Sequence, residues 1–164
     1  MVTIYLAAGL FNVAERLHNL FLEKELKKLG YEVVLPQREA LKHFNGKRFD
    51  TAAIVEDCVK SCINPAYISV ICADGAKADD GAAVEYGMTI NATSRAIVFR
   101  TDFRTEPKKE LGVNAMFKAK GTIFIYYPCY FTEISEVSKY YEKLAIKIHR
   151  AIRKLVLIEK KEGG

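Results

Sequence analysis

Short apolar runs alternate along this chain with longer segments whose hydrophobic positions recur every three or four residues. Val2 to Ala7, apolar apart from Thr3, has the pattern of a central strand buried on both faces, and it stops at Ala8 and Gly9, small residues that admit a ligand or another backbone. Asn12 and Glu15 have capping-box spacing, and Leu17, Leu20, Phe21 and Leu26 form a helical stripe ending at Gly30. Tyr31 to Leu35, followed by Pro36, predicts a second strand. Residues 36–50 show no period and read as a loop or short irregular helix at a strand's carboxyl end, where binding loops collect. Thr51 to Ile63 predicts a helix ended by Asn64-Pro65, Tyr67 to Cys72 a third strand, and Ala82 to Ala92 a helix. Arg95 to Arg100 predicts a fourth strand, Thr101 to Lys120 a charged loop, and Gly121 to Tyr127 a fifth strand halted by Pro128. From about Thr132 to Ile158 (residues 132–158) one amphipathic helix carries Ile134, Val137, Tyr141, Leu144, Ile148, Ile152 and Leu155 on its stripe, with a frayed tail from Glu159 to Gly164.

Strands alternating with helices imply parallel neighbours, because parallel strands need crossover connections. The fold class is therefore α/β: a flavodoxin-like or Rossmann-like three-layer sandwich with a five-stranded parallel sheet, in a single domain spanning residues 1–164. The carboxyl ends of strands one and three, with Tyr5, Gly9 and the loop from Asp79 to Glu85, then share one crevice at the switch point. No G-x-G-x-x-G follows the first strand and no Walker lysine motif occurs, which argues against a dinucleotide or triphosphate enzyme.

Composition changes this picture little. A chain of 164 residues that is 50% hydrophobic sustains one core. The net charge of +5 is partly a property of the C-terminal end, where Lys143, Lys147, Arg150, Arg153, Lys154, Lys160 and Lys161 cluster. A solvated helix face accounts for them ahead of a nucleic-acid patch, so no nucleic-acid partner is expected. No run approaches a membrane span and no signal peptide precedes the first strand, so a cytoplasmic protein without membrane contact is expected. Cys58, Cys62, Cys72 and Cys129 form no paired ligand motif, and His18, His43 and His149 are scattered. Cys58 and Cys62 have helical spacing and read as small buried side chains, so neither structural zinc nor a disulfide framework is expected.

The candidate chemistry lies in Asp79-Asp80-Gly81-Ala82-Ala83-Val84-Glu85-Tyr86-Gly87, between the third strand and its helix. Glu85 is placed in the first turn of that helix, where unpaired N–H groups and the helix dipole favour an ionised carboxylate, suited to a nucleophile. Asp79, six positions earlier, brings a second carboxylate to the same pocket. Acidic residues at a helix start are equally ordinary caps, and this stretch alone leaves both readings open. Asp57 either reaches over the sheet edge or faces solvent, and Asp74-Gly75 reads as a turn.

Several separated pieces resemble one family, the nucleoside 2-deoxyribosyltransferases. Ile4-Tyr5-Leu6-Ala7-Ala8-Gly9-Leu10-Phe11-Asn12 is similar to that family's first strand and loop, and Asp79 to Gly87 to its D-x-G-T-A-x-E-x-G signature, with Ala82 in place of threonine. Val113-Asn114-Ala115-Met116 resembles its N-L-M segment, and Asp57 stands where the family carries a further aspartate. The resemblance spans about residues 1–127, and this chain then ends in a long basic helix instead of a short tail bearing a carboxylate. It implies transfer of 2-deoxyribose between nucleobases, with Glu85 as nucleophile, Asp57 and Asp79 handling the base, and Tyr5 orienting Glu85. It further implies substrate binding by Gly9, Phe11, Gly81, Asn114 and Met116, the last two from a neighbouring subunit, in a homo-oligomer (dimer or hexamer) with shared sites. The partners implied are a deoxynucleoside and a free nucleobase, with no metal and no cofactor. Two other readings are a hydrolase of deoxynucleoside 5'-monophosphates and a non-enzymatic nucleoside-binding protein. The hydrolase needs hydroxyls for a phosphate cradle, and Ala7-Ala8-Gly9 has none.

Overall fold

The computed structural model describes residues 2–104 and 112–162. Five parallel strands, β1 (Thr3–Ala7), β2 (Glu32–Val34), β3 (Tyr67–Cys72), β4 (Ala96–Arg100) and β5 (Thr122–Tyr126), form one sheet in the order β2-β1-β3-β4-β5. This is the flavodoxin-like order, with the topological switch point between β1 and β3.

The two-residue period of the strands sorts side chains between two helical layers. Ile4, Leu6, Val70, Cys72, Ile97 and Phe99 pack with α1 (Val13–Lys28) and α5 (Val137–Glu162). Tyr5, Ala7, Ile71, Ala73 and Val98 face the other way, toward α3 (Thr51–Cys62) and α4 (Asp80–Thr93). Both faces of the sheet are thus covered, which is why the strands are mostly apolar and do not alternate with polar residues. Asn12 caps α1 in a complete capping box with Glu15.

The segment without a period resolves into the short helix α2 (Pro36–Glu39) and a 3-10 turn over Ala40–His43. Arg38 anchors α2 to α1 through a two-pronged pair with Glu23, at 2.6 and 2.7 Å. The last helix differs from its expected start at Thr132. A 3-10 turn over Ile134–Glu136 precedes it, because the Glu136 carboxylate turns back to accept from the Thr132 and Glu133 amides. Ile134 consequently stays exposed and off the helical stripe. The helix then continues to Glu162 instead of fraying at Glu159, while Gly163 and Gly164 lie outside the described residues. So do residues 105–111 of the predicted charged loop, whose later part carries a 3-10 turn over Ala115–Lys118. No helix among the described residues is long and apolar enough to cross a membrane.

Candidate active site

Tyr5 is the third residue of β1, and the strand's alternation sends its side chain toward α3 and α4. There its hydroxyl donates to Glu85 Oε1 at 2.6 Å. Glu85 does not lie in the first turn of α4, contrary to the sequence expectation. The helix begins at Asp80 with Asp79 as its N-cap, accepting from the Ala82 amide at 2.9 Å, so Glu85 falls in the second turn. The favourable end of the helix dipole therefore acts on Asp79. Burial governs Glu85 instead: it raises the carboxyl's pKa, and the negative charge of Asp79 pushes in the same direction. Hydrogen bonding from Tyr5 and from the Cys58 thiol opposes that rise. Gly81 keeps the N-terminal turn clear, since a Cβ there would stand 3.1 Å from Asp79 Oδ1.

Glu85 opens onto a cavity of about 790 Å³, with Asp79 and Gly81 on the same wall. Phe11, Phe49, Val55 and Met88 give it an apolar rim, and Arg16 adds a cation. The rim is open to solvent: Phe11 is 81% exposed and Val55 55%. Such a cavity suits a flat apolar ring joined to a small polar group, with a carboxylate at one end.

Tyr5, Glu85, Asp79, Gly81 and Phe11 thus come together. Other predicted site residues lie elsewhere. Gly9 lines an adjacent cavity on the far side of the β1–α1 loop, its carbonyl accepting from Asn19 Nδ2 at 2.9 Å. Asp57 lines a smaller cavity of about 250 Å³, where it pairs with His43 Nε2 at 2.6 Å. That hydrogen bond lowers its pKa, so Asp57 holds a proton poorly. Asn114 caps the 3-10 turn by accepting from the Met116 amide, Met116 is 76% exposed, and neither is on the wall of the Glu85 cavity.

Four residues with polar roles escaped the sequence reading. Cys58 passed for a packing residue because of its spacing to Cys62, yet only Cys62 is buried while Cys58 lies beside Glu85. His43 and Arg16 sit in no motif. Asp74, read as a turn residue, accepts from the Thr101 and Asp102 amides and from the Thr101 hydroxyl, tying the end of β3 to β4.

A flavodoxin-like parallel sheet with a tyrosine-bound carboxylate over an open apolar cavity at its switch point defines an α/β protein built to hold a small ligand. The chain belongs to the nucleoside 2-deoxyribosyltransferase family, whose sequence profile matches residues 4–116. No curated protein matches it in sequence. Among solved structures, a conserved protein from Enterococcus faecalis V583 is similar at 18% identity and a TM-score of 0.63, covering 87% of this chain and 98% of its own. The 2-deoxyribosyltransferase of Bacillus psychrosaccharolyticus is similar at 20% identity and a TM-score of 0.54, covering 84% of this chain and 90% of its own. At these identities the likeness speaks to the fold.

Proposed function

We propose that this chain transfers 2-deoxyribose between nucleobases through a covalent intermediate on Glu85. The observation that carries this reading is the Tyr5–Glu85 hydrogen bond at the wall of the apolar cavity. Glu85 Oε2, which the tyrosine leaves unbound, forms a bond to the anomeric carbon as the bond to the base nitrogen breaks. Protonation makes the base a better leaving group; the proton comes from solvent at the open mouth, and the Asp79 carboxylate on the same wall accepts a hydrogen bond from the protonated ring. An acceptor base then displaces Glu85 and releases its ring proton to solvent, so two inversions give net retention. Asp57, paired with His43 in the adjoining smaller cavity that Tyr5 and Cys58 also line, is not assigned the proton transfer on this reading.

A free nucleoside is favoured over a 5'-monophosphate by the first loop. Its Phe11 and Asn12 amides already donate to the Glu15 carboxylate, at 2.8 and 3.4 Å, which leaves them unavailable to a phosphate. Arg16 is the observation that favours the competing reading, hydrolysis of a 5'-monophosphate, since it brings a cation to the cavity wall. The exposed Phe11, Val55 and Val84 around the mouth support closure by a second subunit, whose Asn114 and Met116 would complete the pocket.

Incubation with deoxyinosine and free adenine tests the proposal. Deoxyadenosine should form, and its formation should stop in Glu85→Gln. Release of hypoxanthine with no deoxyadenosine, or turnover confined to 5'-monophosphates, would sink it in favour of the hydrolase.

A further inference from the structure

A second cavity, of about 660 Å³, opens at the same end of the sheet on the α1 and α5 side. It meets the Glu85 cavity at Ala8 and Asp79 and is lined by neither Glu85 nor Tyr5. In it one ring nitrogen of His18, the Cys72 sulfur and one Asp74 carboxylate oxygen lie within 4.8 Å of one another.

Each of the three is positioned by its own element. Cys72 ends β3 with its side chain on the α1 and α5 face. Asp74 is held by the Thr101 and Asp102 amides and by the Thr101 hydroxyl. His18 comes from α1, stacks on Phe99 at 5.8 Å between centroids, and has Nδ1 hydrogen-bonded to the Tyr141 hydroxyl at 2.9 Å. That bond leaves Nε2 as the nitrogen able to ligate. Nε2 is buried and has no hydrogen-bond partner among the described residues. A buried polar atom without a partner calls for a ligand or an unseen water. An imidazole oriented through one nitrogen with the other left bare is the arrangement that metal-binding histidines show.

We propose that His18 Nε2, Cys72 Sγ and the Asp74 carboxylate form a three-ligand site for a divalent cation of the zinc type, with its fourth position open to the cavity. Nitrogen, sulfur and a single carboxylate suit zinc or cobalt, whereas calcium and magnesium require mostly oxygen ligands. Ligand atoms around one tetrahedral zinc stand about 3.3–3.8 Å apart, given bonds of about 2.0–2.3 Å. The group therefore closes by up to about 1.5 Å on loading. Cys72 gives up its thiol proton to solvent as the metal–sulfur bond forms. The bound ion ties α1 to the end of β3 and, through Asp74 and Thr101, to β4. No sequence motif announces such a site, because His18 and Cys72 are contributed by separate elements.

The test uses the full chain, stripped with a chelator and titrated with Co2+ alone while visible absorption is followed. One equivalent should saturate a thiolate-to-cobalt band, Zn2+ should displace it, and Zn2+ should raise the melting temperature. Cys72→Ser should abolish the band, and His18→Gln should weaken binding at least about tenfold. Cys62→Ser, on the opposite face of the sheet, should bind as the parent does. If Cys72→Ser does not fold, His18→Gln and Asp74→Asn decide the matter by the same measurement. Absence of one-equivalent saturation, a band that survives loss of Cys72, or weak uptake of several ions unchanged by His18→Gln each overturns the site and leaves water as the partner of Nε2. Base exchange is no part of the readout, so the site and the proposed function stand or fall separately.

Discussion

The Tyr5 hydroxyl and the Glu85 carboxylate meet at 2.6 Å across 80 positions of sequence, one from the middle of β1 and the other from the second turn of α4. Tyr5 is 1% exposed, and burial together with the neighbouring carboxylate raises its pKa far above the ordinary phenol value. The phenol therefore keeps its proton and donates to Glu85 at neutral pH. The donor opposes the burial that raises the Glu85 pKa and holds one carboxylate oxygen in place.

Tyr5→Phe should lower the base-exchange rate by roughly 10–100-fold, the equivalent of a charge-assisted hydrogen bond of about 1.5–3 kcal/mol. Without the donor the Glu85 pKa rises further, so the acid limb of the pH–rate profile should move to higher pH. A profile displaced to lower pH, or a rate unchanged by the substitution, would contradict the assigned role.

Glu85→Gln separates chemistry from stability. Exchange should collapse, whereas the fold should gain. A carboxyl whose folded pKa is raised contributes stability that is complete below its unfolded pKa and is lost as pH rises through the folded value. Above that value the wild type carries a buried charge that glutamine lacks. The variant should therefore melt higher at neutral pH, and the difference should close on acidification, as thermal scans at several pH values would show.

Glu23 has the opposite sign. Arg38 and Lys27 lower its pKa, so its contribution is present above the unfolded carboxyl pKa and lost as pH falls through the folded one. Glu23→Gln should cost about 1–2 kcal/mol at neutral pH, reduced because both cations are half-exposed, and nearly nothing in acid. Denaturant midpoints at the two extremes check this. Because α2 supplies Pro36 to the Glu85 cavity, weaker substrate binding should accompany the loss.

Arg100 is 1% exposed, and its guanidinium donates to the carbonyls of Ala73 and Gly75 while facing Asp102. Arg100→Leu strands those buried acceptors and should destabilise the chain by about 3 kcal/mol or more, measured by chemical denaturation.

If Asn114 serves a neighbour's site, then Asn114→Ala and Glu85→Gln should each be inactive alone and partly active when unfolded and refolded together, since mixed oligomers contain intact composite pockets. Activity that does not return on mixing, with oligomers present by size-exclusion chromatography, would place Asn114 outside the site.

Strand runs, the Asn12–Glu15 cap, the helix-ending Asn64-Pro65 and the parallel topology were all legible in the residues, because burial on both faces of a sheet and local capping leave their mark on neighbouring positions. The D-x-G signature likewise marked the segment that carries Asp79 as the N-cap of α4 and Glu85 in its second turn. Which turn of α4 carries Glu85 was not legible, since Asp79 and Asp80 are both able to cap and only the backbone path selects one. Nor could the sequence foretell that His43 pairs with Asp57, or that Cys58 stands beside Glu85 while Cys62 faces the core. The amino-acid order by itself determined the layers, the strand directions and the acidic loop, through interactions a few residues long. Tertiary structure alone decided which side chains share a cavity and which carboxyl is buried, because desolvation and hydrogen bonding at Glu85 depend on a tyrosine that the chain brings back from far away.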